Sequence, residues 1–277
     1  MNYELIDSGE GRRLEKWGQY ILDRPDPEVL WKKALPETYW QKADAVFKNG
    51  WINKNHVPGM WQLEHNDIKF WAKLAPFKHT GIFPEQAGQW DFVGKTISDM
   101  GRQVNLLNLF AYTGIASLFA AKAGAKVTHV DASRPAITWA NENRDLNGMQ
   151  NSPIRWIVDD ALKFTAREIK RGIKYDAIIM DPPVYGHAPN GEPWDFNKDF
   201  PKLLQNCRQI LSDKPLFVIV NAYAVSTSSI TLANTLRDAF SNLPGKVENG
   251  ELTLTEKSGG RVLSTGIFAK WSSDVIK

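Results

Sequence analysis

The sequence predicts an α/β fold, a mostly parallel sheet of seven strands that ends in an antiparallel hairpin, preceded by a small β-rich unit. Three observations carry this. From residue 104 onward, short apolar runs of strand length alternate with helix-length segments, the pattern of parallel βαβ units. Four successive runs end in something polar: a turn around Tyr112, then Asp131, Asp160 and Asp181. Before residue 77 the pattern shifts to two-residue alternation and turn signals, and six of the eleven tryptophans fall there: Trp17, Trp31, Trp40, Trp51, Trp61 and Trp71.

Residues 3–7 and 12–23 alternate apolar and polar around the turn SGEG and read as a hairpin. Arg24-Pro25-Asp26-Pro27 breaks that pattern. The tryptophans that follow read mainly as bulky filling for a thin core, because acidic and basic residues are interspersed and no cationic stripe accompanies the aromatics. Residues 77–90 join this unit to the next. Gly81 and Pro84 make a turn, and Glu85 and Gln86 lead into a helix ending near residue 100. On residue chemistry alone, His79 and Glu85 are solvated or capping. The expected domains are therefore residues 1–76 and 77–277.

Residues 104–109 form the first strand of the second domain, Ala111-Tyr112-Thr113-Gly114 a tight turn, residues 115–123 a helix stopped by Gly124, and residues 126–130 the next strand. An acid at a strand's carboxyl end about twenty residues beyond such a turn accepts hydrogen bonds from ribose hydroxyls. Asp131 stands there. The GxGxxG fingerprint is absent, so nothing clears space for a pyrophosphate, and a ribose-bearing ligand without phosphates fits better. Ser133-Arg134-Pro135 starts the next helix, over 136–146. A strand at 154–158 ends in Asp159-Asp160-Ala161, a helix spans 164–173, and a uniformly apolar strand at 175–180 ends in Asp181-Pro182-Pro183-Val184-Tyr185. A polar loop at 186–195, a helix at 200–211, a strand at 216–220 and a helix at 228–240 follow. Residues 251–255 and 262–271 make the terminal antiparallel pair.

The 277 residues are 43% hydrophobic and 23% charged with a net charge of +3, ordinary for a globular protein and only mildly basic. One cysteine excludes a disulfide framework and a cysteine-rich zinc site. The five histidines lack ligand spacing, so no metal is expected. The start carries neither a basic leader nor an apolar segment, and no run of eighteen apolar residues occurs, which points to a cytoplasmic protein without a membrane partner. Cys207 shares one helical face with Leu203, Leu204, Ile210 and Leu211, and so reads as a core residue.

NLFAYTG, VDAS, DDA and DPPVY, in this order and at these separations, resemble the class I S-adenosylmethionine-dependent methyltransferases, specifically the group of bacterial 23S ribosomal RNA enzymes acting on cytosine carbon-5 or the guanine exocyclic amine. The resemblance covers about residues 77–271. It implies a Rossmann-like fold and S-adenosyl-L-methionine as cofactor. Asn108, Phe110, Ala111, Tyr112, Thr113 and Gly114 then form the cradle along its methionine part. Asp131 takes the ribose hydroxyls with Ala132 and Ser133 beside the adenine, and Asp160 accepts from the adenine amine with Ala161 adjacent. Glu85 and Gln86 stand where the family's linker supplies a polar contact, although the chain has Pro-Glu-Gln in place of an acid-plus-arginine pattern.

The DPPVY segment is similar to a motif of enzymes that methylate an amine conjugated to a planar ring. Asp181 and the Pro182 carbonyl would accept the amine hydrogens, Pro183 fixes the backbone without adding a donor, and Tyr185 stacks on the ring. Methylation of pyrimidine carbon-5 needs a thiolate. The related enzymes carry that cysteine after the fifth strand, where this chain reads Asn221-Ala222-Tyr223. The expected reaction is methylation of a nucleobase amine in ribosomal RNA without a cysteine nucleophile. The competing expectations are a small-molecule or protein substrate, and a non-catalytic module that binds the cofactor or RNA. His187, in the loop after the motif, reads as a surface residue. The oligomeric state is not legible.

Overall fold

The structure, a computed structural model, describes residues 1–187 and 192–276, with the side chain of His187 outside what is described. The chain divides into two compact units, Met1–Ala87 with Leu252–Thr265, and Gly88–Glu251 with Gly266–Lys277. The first unit thus runs past residue 76 and includes the tip of the terminal hairpin.

The first unit contains β1 (Tyr3–Gly9), β2 (Arg12–Trp17), β3 (Tyr20–Pro25), the short helix α1 (Glu37–Trp40), β4 (Ala45–Phe47) and β5 (Trp51–Asn53), the strands forming one sheet in sequence order. β6 (Met60–His65) and β7 (Ile68–Lys73) make a separate antiparallel pair. One strand was expected over 12–23. Instead, Gly18 at φ 67 reverses the chain, so that Trp17 pairs with Tyr20 and the run becomes two strands. Trp17, Trp40 and Trp61 are buried, as a core role requires.

Two polar anchors organise this unit. Asp7 accepts from the Ala34 and Leu35 amides, from Trp40 Nε1 and from Ser258 Oγ, tying a loop, a helix and the hairpin tip to β1. Glu15 is fully buried and takes a two-pronged bond from Arg24, at 2.5 and 2.7 Å, and a third from the Tyr3 hydroxyl at 2.8 Å. Arg13 adds a further positive charge 3.6 Å away. Burial opposes charging of Glu15, but the two arginines and these hydrogen bonds prevail and hold its carboxyl at about 2.

The second unit begins at the end of a 3-10 turn (Pro84–Gln86) and contains α2 (Ala87–Asp99, its first residue still in the first unit), β8 (Asn105–Leu109), α3 (Ile115–Lys122), β9 (Lys126–Asp131), α4 (Arg134–Leu146), β10 (Ile154–Val158), α5 (Ala161–Arg171) and β11 (Ala177–Met180). Then come β12 (Tyr185–His187), β13 (Pro193–Asp195), α6 (Phe196–Ile210), β14 (Phe217–Ala222), α7 (Ser229–Ala239), β15 (Gly245–Thr255) and β16 (Val262–Ser273). The seven-stranded sheet has the order β10-β9-β8-β11-β14-β16-β15. Its first five strands are parallel, and β16 runs antiparallel to β14.

Alternation along the central strands separates two apolar layers. Ile178, Met180, Val218 and Val220 face α5, α6 and α7 through Phe164, Leu203, Leu204 and Leu236. Ala177, Ile179, Phe217 and Ile219 face α2 and α3 through Val93, Ile97, Ala120 and Ala121. Cys207 lies wholly inside the first layer, where burial pushes its thiol up.

Two local expectations are corrected. The loop expected at 186–195 contains the β12–β13 pair, with Gly186 opposite Trp194. The helix expected from residue 200 starts at Phe196 because the Asp195 side chain caps the Lys198 amide, and the helix runs through Pro201 instead of starting beside it.

Replacing Glu15 by glutamine leaves Arg24 and Arg13 without their buried counter-charge and costs about 3–5 kcal/mol. Because the folded carboxyl titrates below its unfolded value, its contribution is present above about 4.5 and fades as pH falls toward 2. Urea unfolding of Glu15→Gln and the parent at pH 7 and pH 3 measures both, with the difference smaller at pH 3.

Candidate active site

The strand order reverses at β8. From there β9 and β10 are added on one side and β11 and β14 on the other. A crevice opens at such a reversal, beyond the carboxyl ends of the strands. Leu109 pairs with Met180, and the Asp181 amide donates to the Leu109 carbonyl at 3.4 Å, so the turn after β8 and the motif after β11 leave the sheet side by side.

The turn after β8 has unusual backbone. Phe110, Tyr112 and Gly114 have φ of 53°, 48° and 81°. Two non-glycine residues in the left-handed region cost about 1 kcal/mol or more each and persist only where surrounding bonds impose them. Asp131 supplies those bonds. Its Oδ2 accepts from the Tyr112 amide and its Oδ1 from the Ser133 amide, both at 2.8 Å, while Ala111 donates to the Val130 carbonyl. Burial raises the Asp131 pKa against those two amides. At Gly114 a Cβ would lie 2.9 Å from Ala140 Cβ, so a larger residue would push the turn off α4 as well as strain it.

Beneath the turn lies a polar chain that sequence reasoning missed. Asn108 Nδ2 donates to Ser117 Oγ at 3.0 Å, and Ser117 Oγ meets His129 Nδ1 at 3.0 Å, all three residues being buried. The His129 ring packs on Trp156 and its Nε2 lies toward the Tyr112 carbonyl, short of a well-formed hydrogen bond. Burial lowers its pKa from 6.5 to about 3, so the ring is neutral. A histidine in the middle of a βαβ strand, between Thr128 and Val130, was the available signal.

Other expected residues take varied places. Asn108 and Thr113 are buried, the former committed to Ser117 and the latter's carbonyl to Asn143. Asp160 caps α5 through the Lys163 amide, next to a bond from the Asp159 amide to the Asp131 carbonyl, and Ala161 begins that helix below the surface. Ala132 is half-buried and Ser133 caps α4. In the motif, Pro182 is buried, Pro183 exposed and Tyr185 72% exposed. Glu85 and Gln86 belong to the first unit, where Glu85 hydrogen-bonds Thr265 near Arg13 and burial raises its carboxyl. Among the described residues no His, Cys, Asp and Glu side chains group to hold a metal, and no helix is long and apolar enough to cross a membrane.

Residues 40–251 match the family described as S-adenosylmethionine-dependent methyltransferase. The chain belongs to that family. The structure of a SAM-dependent methyltransferase from Agrobacterium tumefaciens is 41% identical, covers 98% of this chain and 90% of that one, and superposes with a TM-score of 0.96. Ribosomal RNA large subunit methyltransferase K/L of Shewanella frigidimarina is 34% identical over 160 residues, and that of Pseudoalteromonas translucida 32% over 161; each match covers 57% of this chain. The chain spans only 22% of the length of either curated relative.

The family's cofactor, S-adenosylmethionine, suits this edge of the sheet. Each oxygen of Asp131 has accepted one backbone amide and keeps a lone pair for a hydroxyl, and the turn offers close backbone approach without a phosphate-binding glycine loop.

The neutral His129 makes the second unit acid-sensitive. The unfolded chain takes up a proton near pH 6.5 that the folded chain refuses until about 3, so stability falls with decreasing pH across that window, by roughly 1.4 kcal/mol per pH unit well inside it. Urea denaturation between pH 7 and pH 4 should show a shallower loss in His129→Leu than in the parent.

Proposed function

We propose that the chain transfers a methyl group from S-adenosylmethionine to an exocyclic amine of a nucleobase in RNA. The observation that carries this reading is the pairing of β11 with β8, because it sets Asp181 and the Pro182 carbonyl beside the turn after β8. The likeness over 57% of the chain to relatives named as ribosomal RNA methyltransferases supports RNA as the class of substrate.

When bound, the cofactor supplies an electrophilic methyl group on a sulfonium sulfur. Asp131 holds the ribose hydroxyls, the backbone of Phe110–Gly114 lines the methionine part, and Ala132, Ser133, Asp160 and Ala161 border the adenine. An amine conjugated to a planar ring is a poor nucleophile because its lone pair is delocalised. Asp181 and the Pro182 carbonyl accept its hydrogens, orient the lone pair and favour the positive charge that develops on nitrogen. Pro183 stiffens the motif. Tyr185, with its ring largely exposed, offers a stacking face for a base.

Asp131→Ala should weaken S-adenosylhomocysteine binding about 10- to 100-fold in calorimetric titration, since charge-assisted bonds to hydroxyls are lost. Asp181→Ala should leave that binding within about two-fold and lower the methylation rate about 100-fold or more. Mass spectrometry of RNA nucleosides from a deletion strain should lack one methylated guanine or adenine. An unchanged nucleoside profile would move the reading to a small molecule or a protein side chain.

A further inference from the structure

The motif after β11 has three consecutive carbonyls, at Pro182, Pro183 and Val184, and two of them are taken by donors from β13 and from the start of α6. Trp194 Nε1 donates to the Pro183 carbonyl at 2.7 Å, and the Phe196 amide donates to the Val184 carbonyl at 3.0 Å. Among the described residues nothing donates to the Pro182 carbonyl. A side chain at Gly186, opposite Trp194, would press to 3.2 Å from Pro183 Cγ, so the hairpin fits closely under the motif.

The same indole touches the other half of the site. Trp194 is 5% exposed, and its ring centroid lies 5.0 Å from that of Phe110, at 60°. Phe110 is one of the two strained non-glycine residues of the turn. One rigid side chain therefore bonds to the motif after β11 and packs against the turn after β8.

We propose that Trp194 is a positioning residue that removes the Pro183 carbonyl from competition and leaves Asp181 and the Pro182 carbonyl as the acceptor pair for a primary amine. This rests on the amine-methylation reading above. The Asp181–Pro182 and Pro182–Pro183 peptides have no N–H by which a partner could fix them. The indole holds the next peptide, Pro183–Val184, by its carbonyl, and the ring-locked φ of Pro183 passes that restraint back to the Pro182 carbonyl. One carboxylate and one carbonyl, held at fixed orientation, match the two hydrogens of a primary amine better than the single hydrogen of a secondary one. The substrate class is thereby narrowed to amines not yet methylated.

Trp194→Phe keeps a ring against Phe110 and removes the donor, and it separates positioning from packing. The probes are S-adenosylhomocysteine for binding, and tritium transfer from labelled S-adenosylmethionine to total RNA of a strain lacking this gene. The expected result is S-adenosylhomocysteine affinity within about three-fold of the parent, an unchanged KM for RNA, and kcat lowered at least ten-fold. An unchanged kcat, or a loss confined to KM and cofactor affinity, would overturn the proposal.

If the parent itself labels no RNA, the RNA reading falls and the role of Trp194 is decided by its indole N–H resonance in the nitrogen-15 spectrum, assigned by its absence from Trp194→Phe or, if that variant does not fold, from Trp194→Tyr. A slowly exchanging signal that moves when S-adenosylhomocysteine is added supports the contact with both halves of the site. A fast-exchanging or unresponsive signal overturns it.

Discussion

The parallel pairing of β8 with β11 is the constraint on which the rest of the second unit depends. Sequential strands usually lie side by side, yet here the chain lays β9 and β10 outward on one side of β8 and returns to its other side for β11. That reversal opens the crevice. It also brings residues 110–114 next to residues 181–183, seventy positions apart in sequence, with the bond from the Asp181 amide to the Leu109 carbonyl closing the register. A slip of one residue would turn the alternating faces of β11 over and bury the wrong set, so the apolar layers on both sides hold the site in place.

Within that frame Asp131 acts as structure before it acts on any ligand. Two backbone amides converge on its oxygens, and they hold a turn whose φ angles at Phe110 and Tyr112 most residues avoid. Strain of that kind needs support from below as well. The buried chain Asn108–Ser117–His129 provides it, linking β8, α3 and β9 under the turn. The two hydrogen bonds along this chain are strong in a low-dielectric interior and hold the three side chains in place, and a neutral imidazole serves there better than a charged one.

The first unit reaches rigidity differently. Its apolar clusters are small, among them Leu5, Val29, Leu254 and Leu263 in one place and Leu14, Trp40, Ala43 and Val46 in another. Buried charge supplements them: Glu15 with two arginines, Asp7 gathering four donors, and Glu256 bonded to Ser8. The tryptophans belong to this economy of small cores, several of them donating their indole N–H to backbone, as Trp61 does to the Trp17 carbonyl.

Much of this was legible because it is local. The uniformly apolar strand ending at Met180, the acid closing β9 and the single-glycine turn follow from periodicity, from burial on both faces of a parallel sheet and from the φ that Gly114 alone tolerates cheaply. The amino acid sequence by itself thus determined the βαβ series, the acid-tipped strands and the family they resemble. Tertiary structure decided what depends on partners distant in the chain: Gly18 splitting one expected strand into two, Asp195 starting α6 early, Asn108 turning inward to Ser117, and Trp194 reaching both Pro183 and Phe110. Periodicity reports which face of an element is apolar. It cannot report which distant donor meets which carbonyl, because that is fixed only when β8 and β11 come together.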